Sequence, residues 1–188
     1  MPFLEGPTLR ARLRSGPLGL DKAAGVVCGV GAALIEMHAR GIVHRDLKPE
    51  NIILTGSDEC TPVLIDFGIA GLRDRQGRLS VTRTMAGSFL YMAPECVTGH
   101  YSTATDVYSF AVLTLEILTL KRLVDIKAEF HDPEFRHELK EVLRYALTEE
   151  RAEALAGVLA AAFNPGPAKR PSSELLVARV AELLALAP

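Results

Sequence analysis

His44-Arg45-Asp46-Leu47-Lys48-Pro49-Glu50-Asn51 is the stretch on which the reading of this chain turns. It lies between two regular patterns. Upstream, from Asp21 to Arg40, the apolar positions Val26, Val27, Val30, Leu34 and Met37 recur at helical spacing, with Asp21 available as N-cap and Gly41 just past the end. Downstream, Asn51–Thr55 and Pro62–Asp66 are short runs rich in Ile, Leu and Val. The turn-forming cluster Gly56-Ser57-Asp58-Glu59 separates them, which predicts a small two-stranded unit.

Further out, the segment from Gly68 to Pro94 has little periodicity and carries Gly71, Gly77, Gly87, Ser80, Thr82, Thr84 and several arginines. A loop of that length in a compact domain is usually functional or disordered, and a long, mobile one is expected here. Thr103–Leu120 is apolar nearly all round, the pattern of a helix buried on every side. Leu155, Val158, Leu159, Ala162 and Phe163 form the stripe of another helix, with Glu149 and Glu150 in its first turn and Asn164-Pro165-Gly166-Pro167 ending it. Ser172 or Ser173 can cap a last helix, striped by Leu176, Val180, Leu183 and Leu184. Lys121–Arg144 reads as one or two helices. The expected class is an α-rich α+β domain, a helical bundle with a small β insert and no internal repeat.

The composition agrees with one globular domain. The chain has 188 residues, 48% of them hydrophobic and 23% charged, with 21 Lys+Arg against 23 Asp+Glu for a net charge of -2. Such a chain buries enough surface to fold without disulfides or a structural metal. It lacks the basic excess with which nucleic-acid-binding domains displace counterions, so no nucleic acid is expected as a partner. Cys28, Cys60 and Cys96 are odd in number and widely spaced, with no C-x-x-C pair, and read as reduced thiols. The N-terminus lacks the pattern of a secretory signal. The longest uncharged apolar run, Ala23 to Ile35, is too short to span a bilayer. The expectation is a cytoplasmic protein.

The run from His44 to Asn51 resembles the catalytic loop of a protein kinase, and Asp66-Phe67-Gly68 and Ala93-Pro94-Glu95 follow in that family's order and spacing. Lys48, two residues past Asp46, resembles the serine/threonine branch, and Ala39-Arg40-Gly41-Ile42-Val43 leading in resembles the bacterial kinases related to the eukaryotic ones. The resemblance implies a kinase-like C-terminal lobe, with ATP and Mg²⁺ as cofactors and a protein as substrate. Phosphoryl transfer demands positioning and charge neutralisation more than covalent chemistry, which suits these residue types. On this reading Asp46 accepts or orients the proton of the substrate hydroxyl, and Lys48 places an ammonium by the γ-phosphate. Asn51 and Asp66 supply the hard oxygens Mg²⁺ prefers. Ile53 lies near the floor of the adenine pocket. His44 and Phe67 are packing residues, and Gly68 permits a sharp turn. Asp106 holds the catalytic-loop backbone, and Arg170 pairs with Glu95.

Arg45 beside Asp46 implies regulation by loop phosphorylation, since a guanidinium holds a phosphate through two parallel hydrogen bonds. Thr82 and Thr84 are the favoured acceptors, with Ser80 weaker. Gly71 stands where the family often has a second basic residue, for which Arg73 is a substitute; Ser88 replaces a threonine and Ala111 a glycine of the family pattern. Upstream, the glycine-rich loop, strand lysine and helix glutamate of a kinase do not fit between Met1 and Arg40. Met1 to about Leu9 resembles instead the hinge segment between the two lobes, with Met1 near the gatekeeper position. Residues 1–188 thus read as a partial kinase domain: a hinge-like segment at 1–10, the catalytic loop at 44–51 and the activation segment at 66–95. Three readings follow. The chain is a large lobe whose start or reading frame has been misplaced, a non-catalytic interaction module, or an enzyme completed by a small lobe or regulatory protein in trans.

Overall fold

Helix α1 (Leu9–Arg14) begins where Thr8 accepts a hydrogen bond from the Ala11 amide at 3.1 Å. The computed structural model describes residues 5–56, 60–66, 89–126, 129–130 and 132–185. Ahead of α1, Pro7 accepts from the Leu54 amide at 2.9 Å and Thr8 bridges to Ile53, so the entering chain lies along the strand that contains them. Gly6 is required for this approach. Its φ is +146°, and a Cβ there would sit 1.9 Å from the Leu54 carbonyl oxygen.

Helix α2 (Leu20–Ala39) buries Val26, Val27, Val30, Leu34 and Met37, the predicted stripe. Its start differs from the prediction. Gly19 is the N-cap, because Leu20 packs against the core and the first helical bond runs from the Ala23 amide to the Gly19 carbonyl at 2.9 Å. Asp21 therefore lies inside the first turn, where the helix dipole favours an acid. Strands β1 (Ile52–Thr55) and β2 (Thr61–Leu64) pair antiparallel from Ile52 opposite Leu64 to Thr55 opposite Thr61. Ile52 and Leu54 point into the core while Ile53 alternates to the half-buried face.

Helix α3 (Thr103–Thr119) is the centre of the molecule, with 13 of its 17 residues buried, and only a helix enclosed on all sides has that profile. Ser102 and Thr105 close a capping box at its start. Among the described residues, the stretch after it contains a 3₁₀ turn (Leu123–Asp125) and one helix, α4 (Phe135–Leu143). Helix α5 (Glu149–Ala162) packs on α4, and helix α6 (Ser173–Leu184), capped by Ser172 on the Leu175 amide at 3.3 Å, packs on α2. The result is the α-rich α+β bundle with a small β insert. Cys28, Cys60 and Cys96 form no disulfide with one another.

Candidate active site

The run from His44 to Asn51 joins α2 to β1, and its backbone is held from the buried helix. Asp106 of α3, wholly buried, accepts from the His44 amide at 2.7 Å through Oδ2 and from the Arg45 amide at 2.9 Å through Oδ1. His38 Nε2, near the end of α2, lies 3.0 Å from the same Oδ2. These bonds hold Arg45 at φ +70°, a left-handed conformation that costs a non-glycine residue energy. His44 is fully buried beneath the loop. Burial pushes its pKa below the ordinary value, against the opposing charges of Asp106 and Asp46.

With the loop fixed, its polar side chains converge. Lys48 Nζ lies 2.7 Å from Asp46 Oδ2, and the Asn51 amide nitrogen donates both to the Asp46 carbonyl at 2.8 Å and to Asp46 Oδ2 at 2.9 Å. The sheet brings Asp66 to the end of this loop. The register that sets Ile52 opposite Leu64 continues as a bond from the Ile65 amide to the Asn51 carbonyl at 2.9 Å, so Asp66 follows directly on the residue tied to Asn51. Asp66 has φ +53° and is exposed. Ile53 faces away from the core beside Thr8. Phe67, Gly68, Gly71, Arg73, Ser80, Thr82, Thr84 and Ser88 lie outside the described residues.

Arg45 is exposed, with its guanidinium 5.8 Å from the centre of the Tyr101 ring. Glu95 and Arg170 form a two-pronged pair at 2.6 and 2.8 Å. The Arg170 side chain is 0% exposed; its other N–H groups reach the carbonyls of Asn164, Ala104 and Pro165, and Tyr108 covers it at 5.0 Å. Burial alone would raise the Glu95 pKa. The Arg170 hydrogen bonds outweigh it and hold the carboxyl below its ordinary value. The adjacent Cys96 thiol is pushed up to about 11 by burial and by the Glu95 charge.

Sequence reasoning missed a second polar cluster beside the loop. Arg10 of α1 donates to Glu50 at 2.8 Å, to Glu116 of α3 at 2.8 Å and to the Tyr91 hydroxyl, which in turn donates to Glu116. Burial works against the Arg10 charge, but the bonds to Glu116 and Glu50 outweigh it and raise its pKa. The Tyr91 phenol is pushed up by burial and by its bond to Glu116. One signal for this cluster was present. Glu116 is an acid set among the apolar residues of the last turns of a buried helix, and a buried charge demands a partner.

A family model of the protein kinase domain matches residues 1–180. The chain is 44% identical over 121 residues to "Serine/threonine-protein kinase PknD" of Mycobacterium tuberculosis, covering 63% of this chain and 18% of that protein. It is 44% identical over 123 residues to "Serine/threonine-protein kinase PkaA" of Streptomyces coelicolor, covering 63% and 22%. A plant relative, "Cysteine-rich receptor-like protein kinase 27" of Arabidopsis thaliana, is 40% identical over 114 residues, covering 58% and 17%. The chain spans about a fifth of the length of these relatives. With the match extending over nearly the whole chain, the chain belongs to the protein kinase domain family, and bacterial serine/threonine kinases are among the proteins it resembles.

Proposed function

We propose that these residues form the large-lobe half of a serine/threonine kinase site, transferring the γ-phosphoryl group of ATP to a protein hydroxyl. The observation that carries this reading is the hydrogen-bonded set of Asp46, Lys48 and Asn51. Lys48 and Asn51 together aim the Asp46 carboxylate, which orients the substrate hydroxyl and takes its proton as the oxygen attacks phosphorus. Lys48 then offers its charge to the transferred oxygens. The donor set suits Mg²⁺. Asn51 spends its amide N–H groups on Asp46, which leaves Oδ1 as its ligand oxygen, and Asp66 adds a carboxylate. Few protein oxygens supplemented by phosphates and water is the usual magnesium arrangement, and the ion supplies neutralisation of the β- and γ-phosphates.

In this reading residues 1–10 act as the hinge, and a small lobe or regulatory protein completes the cover over the phosphates. The enzyme works in the cytoplasm. Loop phosphorylation at Thr82 or Thr84 is read by Arg45, whose exposed guanidinium is available for a phosphate. Alanine at both threonines is expected to lower activity, and mass spectrometry of active protein to find phosphate between Ser80 and Thr84. Unmodified active protein overturns the regulatory part.

The decisive experiment is thermal unfolding with MgATP. A retained site raises the midpoint with ligand, by the equivalent of about 2.7 kcal/mol at a hundredfold excess over Kd. Asp66→Asn is expected to remove most of that rise. No shift at millimolar ATP overturns the catalytic reading and leaves the non-catalytic interaction module.

A further inference from the structure

A second buried polar chain runs from the last helix to the loop that carries Asp46. Ser173 Oγ lies 2.9 Å from His38 Nδ1, His38 Nε2 lies 3.0 Å from Asp106 Oδ2, and Asp106 receives the His44 and Arg45 amides. Ser173 is 3% exposed, and the side chains of His38 and Asp106 are 4% and 1% exposed. We propose that Ser173 is a positioning residue for phosphoryl transfer, acting through His38 and Asp106 on the backbone of the Asp46 loop. This rests on the kinase reading of that loop.

Three features single out the Ser173 hydroxyl. The capping bond of α6 is supplied by Ser172, so Ser173 is not needed for it. Packing fixes where Ser173 sits. A Cβ on Gly31 would come within 2.7 Å of the Val177 side chain, so α2 and α6 touch closely there. His38 lies two turns beyond Gly31 on the same face of α2, and Ser173 lies one turn before Val177 on α6, so the crossing sets Ser173 over the imidazole. The third feature is directional. Both Asp106 oxygens already accept backbone N–H bonds, so His38 Nε2 meets Oδ2 as a donor and its Nδ1 faces the serine.

The imidazole is therefore held at both ends. Without the serine oxygen, Nδ1 faces a buried space with no partner and the ring loses its fixed plane. The effect passes to Asp106, and through it to Arg45, whose left-handed backbone depends on that carboxylate. Asp46 is the next residue. A hydroxyl on the last helix thus helps to set the aim of the carboxylate that receives the substrate proton.

The test compares Ser173→Ala, Ser173→Thr and Ser172→Ala in the full chain. It reads the His38 ring nitrogens by long-range ¹H–¹⁵N spectra and the exchange of the His44 and Arg45 amides relative to amides of α3. Ser173→Ala is expected to shift the His38 nitrogens and to speed exchange at His44 and Arg45 roughly two- to tenfold, the range of one net hydrogen bond. Ser173→Thr restores both. Ser172→Ala lowers the unfolding midpoint yet leaves both readouts in place. Should the alanine variant lose its fold, Ser173→Cys, with its weaker hydrogen-bonding group, gives the same changes in smaller measure. Unchanged ring nitrogens and exchange in Ser173→Ala, or equal changes in Ser172→Ala, overturn the proposal. A normal relay in a protein whose midpoint ignores MgATP places the failure in the kinase reading instead.

Discussion

Arg10 shows how much one side chain can carry. It is the common donor to Glu50, Glu116 and Tyr91, and the Glu116 side chain is only 5% exposed. Removing the guanidinium leaves the buried Glu116 carboxylate with the Tyr91 hydroxyl but without the Arg10 charge, which costs more than the net worth of the pair. Arg10→Ala is expected to destabilise the chain by about 2–3 kcal/mol, the scale of charge-assisted bonds lost from a partly buried site. Arg10→Ala with Glu116→Gln, which removes the stranded charge, should recover part of the loss. Urea midpoints of the single and double variants check both outcomes. That Asp46, Lys48 and Asn51 belong together was legible in the sequence because they stand in one short run whose spacing resembles a known motif. Arg10 was not legible, since Leu9-Arg10-Ala11-Arg12 looks like any alternating surface stretch and its partners lie far along the chain.

At the scale of elements, legibility followed the strength of local pattern. The apolar run of α3 and the stripes of α2, α5 and α6 could be read directly, because burial on one face or all faces leaves a period in the sequence. Both strands could be read from their β-branched runs and the turn between them. The start of α2 could not, because Gly19 caps through its backbone alone while Asp21 offers the more obvious side chain. Lys121–Arg144 mixes charges into short elements whose ends are set by tertiary packing. The contact of the entering chain with β1 was also hidden, and it is testable. Gly6→Ala places a methyl group against the Leu54 carbonyl in a disfavoured backbone region, so Pro7 is expected to lose its hold on β1. Faster amide exchange at Leu54, with α3 protection nearly unchanged, is the expected reading.

The whole molecule has a defined response to acid. His44 and Glu95 both have native pKa values below their ordinary ones, so the unfolded chain binds more protons than the native chain between those limits. Their contributions to stability are whole above the ordinary histidine and glutamate values respectively. Each is lost as pH falls from there through the lowered native value. Stability is therefore expected to decline in two stages, first below the ordinary histidine range and then below the glutamate range. Glu95→Gln should shrink the second stage, leaving what the lowered Glu141 and Glu174 contribute. At neutral pH the same change costs about 3–5 kcal/mol, because Arg170 is left buried without its carboxylate. Urea midpoints between pH 4 and 8 test the two stages, run on the native chain and on the variant.

The Arg10 cluster also bears on how long the native state lasts. Its three bonds connect residues separated by 40, 106 and 81 positions in the chain. Closing such loops is entropically slow compared with forming helices, so these contacts belong after the folding barrier. Interactions absent from the transition state act on the unfolding rate and leave the folding rate almost untouched. The clamp is thus a brake on unfolding. Its loss would shorten the lifetime of the folded chain without slowing its formation.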